Sequence, residues 1–220
     1  MQNSLETAKS APNKSTLREW TEAIVIAILL ALFIRAFVVQ AFKIPSGSMK
    51  TTLLIGDHIL VNKFVYGIKV PVIDKEIVRF SNPDRGDIVV FRYPVDPSKD
   101  FIKRVIGLPG DSIKIHDKKV FVNGQPLQEP YATHTDERIL PPSISPRDNM
   151  DTLIVPPDHL FVMGDNRDES YDSRFWKFVD MKDLRGEAFM IYWSWNPEGQ
   201  FSLSPSEGYI RWNRFGRILH

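Results

Sequence analysis

The stretch Ala23 to Ile34, AIVIAILLALFI, carries no charge and no helix breaker, and it constrains this chain more than any other feature. Apolar character resumes after Arg35 as AFVV. With a rise of about 1.5 Å per residue and a hydrocarbon core of about 30 Å, a membrane crossing takes roughly 20 residues. Ala23 to Phe42 supplies that length only by accepting Arg35 and Gln40, and the arginine must then snorkel to an interface. Three readings compete: a buried core helix, a cleavable secretory signal and an uncleaved anchor. A cleavable signal needs small residues just after the apolar core, whereas Val39-Gln40-Ala41 is followed by bulky Phe42. The expectation is therefore a transmembrane anchor over residues 21–42 behind a polar cytoplasmic tail, residues 1–20, that contains Ser10, Pro12 and Ser15. Lys9, Lys14 and Arg18 before the span favour a cytoplasmic N-terminus, although Lys43 and Lys50 soon follow it.

From Lys43 onward the period becomes that of strands. Ile59-Leu60-Val61, Phe64-Val65-Tyr66, Ile88 to Phe91, Ser112 to Ile115, Val120 to Val122, Leu160 to Met163 and Ala188 to Trp193 read as strands. Lys69 to Phe80 reads as an exposed hairpin, and Asn123-Gly124 as a tight turn. Residues 129–158 are rich in Pro, Asp and Ser and read as a loop-rich excursion. The 16 prolines and 14 phenylalanines suit many short strands better than a helical bundle. The expected fold is thus mainly β: an antiparallel catalytic core over 43–112 and 158–220, a smaller β insertion over 113–157, and one N-terminal helix.

Composition removes several functions. With 28 basic and 27 acidic side chains there is no field to attract a polyanion, so no nucleic-acid partner is expected. The absence of cysteine excludes disulfides, Cys-ligated zinc and thiol catalysis. The five histidines, His58, His116, His134, His159 and His220, include no i, i+4 pair, so no metal is expected. Gly107 to Asp111 lacks the Lys-Ser/Thr of a phosphate loop, and no cofactor is expected.

Serine chemistry remains, and a serine hydroxyl needs a base. Pro45-Ser46-Gly47-Ser48-Met49 sets two hydroxyls beside a glycine between apolar runs. His58, next to Asp57, is one possible base for Ser48, although no G-x-S-x-G elbow is present. Lysine is the other, and it works only when burial lowers its pKa. Lys103, in Phe101-Ile102-Lys103-Arg104-Val105-Ile106, sits in such surroundings, unless Lys103 and Arg104 simply alternate faces and one of them meets solvent. Lys50, two residues after Ser48, is a further rival, flanked by Thr51-Thr52 that offer little desolvation.

Three stretches in order resemble type I signal peptidase, a membrane-anchored serine protease with a Ser-Lys dyad. They are Ile44 to Met49 with Gly56-Asp57; Arg85 to Phe91 with Lys103 to Asp111; and Gly164 to Trp176. The resemblance implies that Ser48 is the nucleophile and Lys103 the general base. It further implies that Ser46 joins the Ser48 N–H in holding the oxyanion, and that Ser170 orients the lysine amine. Asp165, Arg167, Asp172 and Arg174 correspond to structural charges. Phe42, Ile44, Met49, Leu53, Val90 and Ile102 fall where the family lines shallow pockets for small residues, with core packing as their plain alternative. The implied substrates are secreted preproteins whose signal peptides end in an Ala-x-Ala-like sequence, and the implied partners are membrane lipid and the nearby protein translocation machinery. The implied place is the bacterial cytoplasmic membrane, with the catalytic domain outside the cytoplasm. Lys50-Thr51 depart from the family's pattern after the nucleophile, and Asp168 and Glu169 add negative charge before Ser170. A Ser-Lys self-cleaving repressor and a catalytically silent anchored β-module are the competing identities.

Overall fold

The computed structural model of the protein describes residues 16–69, 76–197, 199 and 208–219. An N-terminal helix, α1 (Thr16–Phe37), leads into strands β1 (Val39–Lys43), β2 (Asp57–Asn62), β3 (Gly67–Lys69), β4 (Glu76–Arg79), β5 (Ile88–Arg92), β6 (Asp100–Gly107) and β7 (Ser112–His116). The chain continues through β8 (Lys119–Val122), β9 (Gln125–Pro126), β10 (Met150–Ile154), β11 (His159–Met163), a short helix α2 (Ser173–Trp176), β12 (Val179–Asp180), β13 (Leu184–Ser194) and β14 (Arg217–Ile218). The protein is mainly β and antiparallel. One eight-stranded sheet runs β1-β2-β13-β5-β6-β11-β12, with β14 added to β13, and a second sheet runs β10-β7-β8-β9.

Sequence explains the centre of the large sheet. Ile88 to Phe91 of β5 are buried on both faces, because β5 lies between β13 and β6 and is packed above and below. The turn before it is closed by Asp87, whose N–H donates to the Asp84 carbonyl (3.2 Å) while its side chain accepts from the Asp84 N–H (2.9 Å). Asn123 and Gly124, with φ of 52° and 78°, make the tight turn from β8 to β9. Three apolar clusters fill the molecule: one under β1, β2 and the Ser48 turn, one between β7–β8 and β11, and one between β5, β6 and β12.

Three expectations are corrected. The span expected over 21–42 ends early: α1 stops at Phe37, and Val39 to Phe42 belong to β1, where Gln40 and Phe42 sit opposite Val61 and Ile59. Phe64 to Tyr66 are a bend, because the Asn62 side chain accepts from the Phe64 N–H (3.0 Å) and turns the chain out of β2. The excursion 129–158 closes with a strand, β10, paired to β7 across a register shift around Asp151 and Thr152. The hairpin expected at Lys69 to Phe80 has its two arms paired as β3 and β4, and its tip, residues 70–75, lies outside the described residues.

Among the described residues, no helix is long and apolar enough to cross a membrane. In α1 the uncharged run Ala23 to Ile34 extends about 18 Å at 1.5 Å per residue, bounded by Glu22 and Arg35. That run is nonetheless apolar on every side: Ile24 is 53% exposed, Val25 54%, Ile26 64% and Ile34 42%.

Candidate active site

Ser48 is displayed by a turn that the core pulls taut from behind. Mutual bonds close the loop's ends, from the Ile44 N–H to the Asp57 carbonyl (2.8 Å) and from the Gly56 N–H to the Ile44 carbonyl (2.9 Å). Inside it the Lys50 N–H donates to Gly47 O (3.1 Å) and the Leu53 N–H to Met49 O (2.8 Å), closing two successive turns. Met49 and Leu53, four apart and both 0% exposed, plug this turn into the first apolar cluster and leave Ser48 half-buried at the rim.

Lys103 comes from the middle of β6, opposite Val89 of β5. Alternation along β6 sets Lys103 on the side of Phe101 and Val105 and sets Arg104 on the side of Ile102 and Ile106, yet neither cation meets solvent. The Lys103 ammonium donates to Ser48 Oγ at 2.7 Å and to the Ile102 carbonyl at 3.1 Å, and lies 5.4 Å from the centre of the Phe101 ring. Lys103 is only 4% exposed. Burial pushes its amine down to about 8, against the opposing pull of the Asp172 and Asp165 carboxylates and with help from the positive Arg174. A hydroxyl bonded to an amine that gives up its proton this readily has the arrangement that a nucleophile and its base require.

The rivals do not meet these conditions. Lys50 is exposed. His58 makes an edge contact with Tyr192 (5.9 Å between centroids), and its neighbour Asp57 is engaged by Arg214 and Ser194 instead of by His58. Ser46 is exposed in the same turn as Ser48. Ser170 is 4% exposed, and its hydroxyl makes no hydrogen bond to Lys103 among the described residues. It does lie against the turn that carries Ser48. A Cβ added at Gly164 would collide with the Ser170 side chain and the Ser48 carbonyl together, so glycine is what lets β11's exit pass between them.

Phe42, Ile44, Met49, Leu53, Val90 and Ile102 are gathered into one cluster beside Ser48. Ile44, Met49, Leu53 and Val90 are 2% exposed or less, so the surface offered by this group comes from Phe42 and Ile102, which are half-buried.

Behind the pair stands a framework of buried ions. Asp165, 0% exposed, accepts from Arg104 Nε (2.9 Å) and Nη2 (2.8 Å) and from Thr52 Oγ1 (2.6 Å). Arg174 forks onto Asp172 through Nε and Nη2 (both 2.8 Å) and donates to the carbonyls of Arg167 and Arg147. Burial works to raise the Asp172 carboxyl, but the Arg174 guanidinium and the Gly164 N–H hold it below the usual value. Arg167 donates to the Glu129 carboxylate and to the Gly164 carbonyl. Sequence reading missed Arg104, Thr52, Glu129 and the Asp57–Arg214 pair (2.6 Å). Arg104 had a visible sign, a cation in an apolar strand, while Glu129 stood in a stretch whose composition spoke only of loop. Thr133, in that same stretch, donates its N–H to Asp165 O (2.8 Å), accepts from the Arg167 N–H (2.9 Å) and donates its hydroxyl to Lys50 O (3.1 Å).

No group of three or more His, Cys, Asp or Glu among the described residues is arranged to hold a metal ion. A serine held by a buried lysine at the margin of an antiparallel sheet is the equipment of a serine hydrolase. The chain belongs to the signal peptidase family, peptidase S26, whose model matches residues 17–193, and it is a serine peptidase. It is 40% identical to signal peptidase I of Pseudomonas fluorescens over 86% of this chain and 77% of that one. It is 37% identical to signal peptidase I of Pseudomonas aeruginosa, with the same coverage, and 34% identical to that of Aquifex aeolicus over 87% of this chain and 89% of that one.

Proposed function

We propose that this peptidase removes N-terminal signal peptides from translocated preproteins, with Ser48 as nucleophile and Lys103 as general base. The observation that carries the reading is the 2.7 Å bond between Lys103 Nζ and Ser48 Oγ at a lysine that is almost wholly buried. Neutral Lys103 takes the Ser48 proton as Oγ attacks the scissile carbonyl, and the resulting ammonium returns it to the leaving amine. The oxyanion is held by the Ser48 N–H and the hydroxyl of Ser46. Ser170, Asp165, Arg167, Asp172 and Arg174 keep the two reacting groups in register. Substrate lies extended along the rim, with small side chains directed at Phe42 and Ile102 and at the cluster of Ile44, Met49, Leu53 and Val90 behind them, which favours Ala-x-Ala-like ends. Residues 43–112 and 158–220 form the catalytic core, and 113–157 the smaller insertion.

On this reading α1 is the single membrane anchor, in the bacterial cytoplasmic membrane near the translocation machinery, with the N-terminus cytoplasmic and the catalytic core on the far side. A helix with apolar side chains exposed on every side is stable in lipid and costly in water, which supports that assignment. Arg18, Glu19 and Glu22 then lie toward one interface and Arg35 toward the other, less than 15 residues before Ser48. The test is to incubate a preprotein with the full chain in detergent and with Ser48→Ala and Lys103→Ala variants. Mature product from the full chain alone is the expected result. Cleavage surviving either substitution would remove the dyad, and a full chain that binds without cutting would favour a binding module.

A further inference from the structure

Asn166 follows Asp165 at the exit of β11 and is 0% exposed. Its backbone N–H donates to the Ser48 carbonyl (3.1 Å), while its side-chain Nδ2 donates to the Gly47 carbonyl (3.2 Å) and to Glu169 Oε2 (3.0 Å). Two acceptors converge on one end of the amide, a carbonyl and a carboxylate, and that end must be the NH2 group. Gly47 O is held by a second donor as well, the Lys50 N–H at 3.1 Å. One residue thus grips the two consecutive carbonyls that bracket the Ser48 backbone.

A trans peptide group is planar, so the Gly47 C=O and the Ser48 N–H point in opposite directions from the same plane. Drawing Gly47 O onto Asn166 and Lys50 turns the Ser48 N–H away from them. No described residue accepts a bond from that N–H, and the space beside the Gly47 Cα is open to 4 Å. The donor is thus left without a partner among the described residues, on the side of the peptide opposite Asn166. We propose that Asn166 is a positioning residue for this donor: it sets the plane of the Gly47–Ser48 peptide and thereby aims the Ser48 N–H at the developing negative charge. The role rests on the reading of Ser48 as nucleophile. Asn166 acts through Ser48 and not through Lys103, whose bonds go to Ser48 Oγ and the Ile102 carbonyl.

The experiment measures kcat, KM and the pH dependence of kcat for the full chain in detergent, for Asn166→Ala and for Asn166→Asp. It also measures affinity for a tripeptide aldehyde ending in alanine and for the matching peptide acid. The aldehyde's adduct places an oxyanion at the Ser48 N–H, and the acid does not. Both variants are expected to lower kcat by about 10- to 100-fold and to weaken aldehyde binding in parallel, because a donor aimed off its target loses most of its effect. KM and acid affinity should stay within about twofold, and in Asn166→Ala the acid limb of the pH profile should stay where it is. Unchanged kcat, equal losses for aldehyde and acid, or a displaced acid limb in Asn166→Ala would each overturn the proposal. Ser48→Ala run alongside separates the two readings. Cleavage that survives it removes the nucleophile and this role together, whereas cleavage lost in Ser48→Ala and intact in Asn166→Ala removes this role alone.

Discussion

Lys103 holds the chemistry of the proposed mechanism in a single side chain, and its behaviour follows from where β6 puts it. An ordinary lysine at 10.5 is neutral about once in 3,000 at pH 7, while one lowered to about 8 is neutral about once in ten, a gain of more than two orders of magnitude in the reactive form. The causes act in both directions: burial among Phe101, Val105 and the Ser48 turn favours the neutral amine, Arg174 adds to that, and Asp172 and Asp165 oppose it. Since the base must be unprotonated, activity rises with pH and is lost as the medium acidifies. The acid limb of kcat/KM for peptide cleavage should have its midpoint near pH 8, with a fall of about tenfold per unit below it. A profile flat from pH 5 to pH 9 would count against Lys103. The apolar surroundings of this residue were legible. Residue pattern marked Lys103 as a cation among apolar neighbours, and family resemblance chose it over Lys50 and His58. Its neighbour Arg104 carried the same sign, but its counter-ion was not legible, because Asp165 lies 61 positions away and nothing local in β6 announces it.

Elements explain how two residues so far apart meet. The Ser48 turn hangs from β1 and β2, Lys103 projects from β6, and the strands between them, β13 and β5, are bridged on one edge by the segment after β11. That segment fastens to the turn through Thr52, whose hydroxyl donates to Asp165 while its carbonyl accepts from Arg214 (2.8 Å). Most strands were legible from short apolar runs between turn residues, and Phe64 to Tyr66 failed because one Asn62 side chain redirects the backbone locally. The 129–134 segment read as loop, correctly by its own composition. Its docking was invisible because Glu129, Tyr131 and Thr133 find their partners in Arg167, Arg104 and Asp165, and only the fold brings those close. The buried Arg104–Asp165 pair gives the test at this scale. Asp165→Ala strands a guanidinium that is 1% exposed and leaves Thr52 Oγ1 without its acceptor, so chemical denaturation should show a loss of about 3–5 kcal/mol. Adding Arg104→Met to it should recover part of that loss, because the uncompensated charge is then gone. A loss below about 1 kcal/mol for Asp165→Ala would mean the pair contributes little to the frame.

At the scale of the molecule, two of the apolar surfaces among the described residues concern the proposed membrane. One is α1. The other is a group of rings carried by β13 and the segment before β14: Trp193 and Phe215 are 4.9 Å apart, Trp212 and Phe215 5.1 Å, and Trp195 and Tyr209 5.7 Å. Trp212 is 56% exposed, and Trp195 43%. The strand that continues from α1 is β1, and β1 is only one strand removed from β13, so helix and rings belong to the same end of the sheet order. Indole rings, with an apolar body and a polar edge, favour the boundary between lipid and water. If the rings help seat the catalytic core on the membrane, a chain lacking residues 1–35 should still sediment with phospholipid vesicles, though less tightly than the full chain. Trp195→Ser with Trp212→Ser in that shortened chain should release it to the supernatant, with activity on a soluble peptide unchanged, since neither ring touches Ser48 or Lys103. A shortened chain that stays wholly in the supernatant before any ring is altered would leave α1 as the sole attachment and the rings without a membrane role.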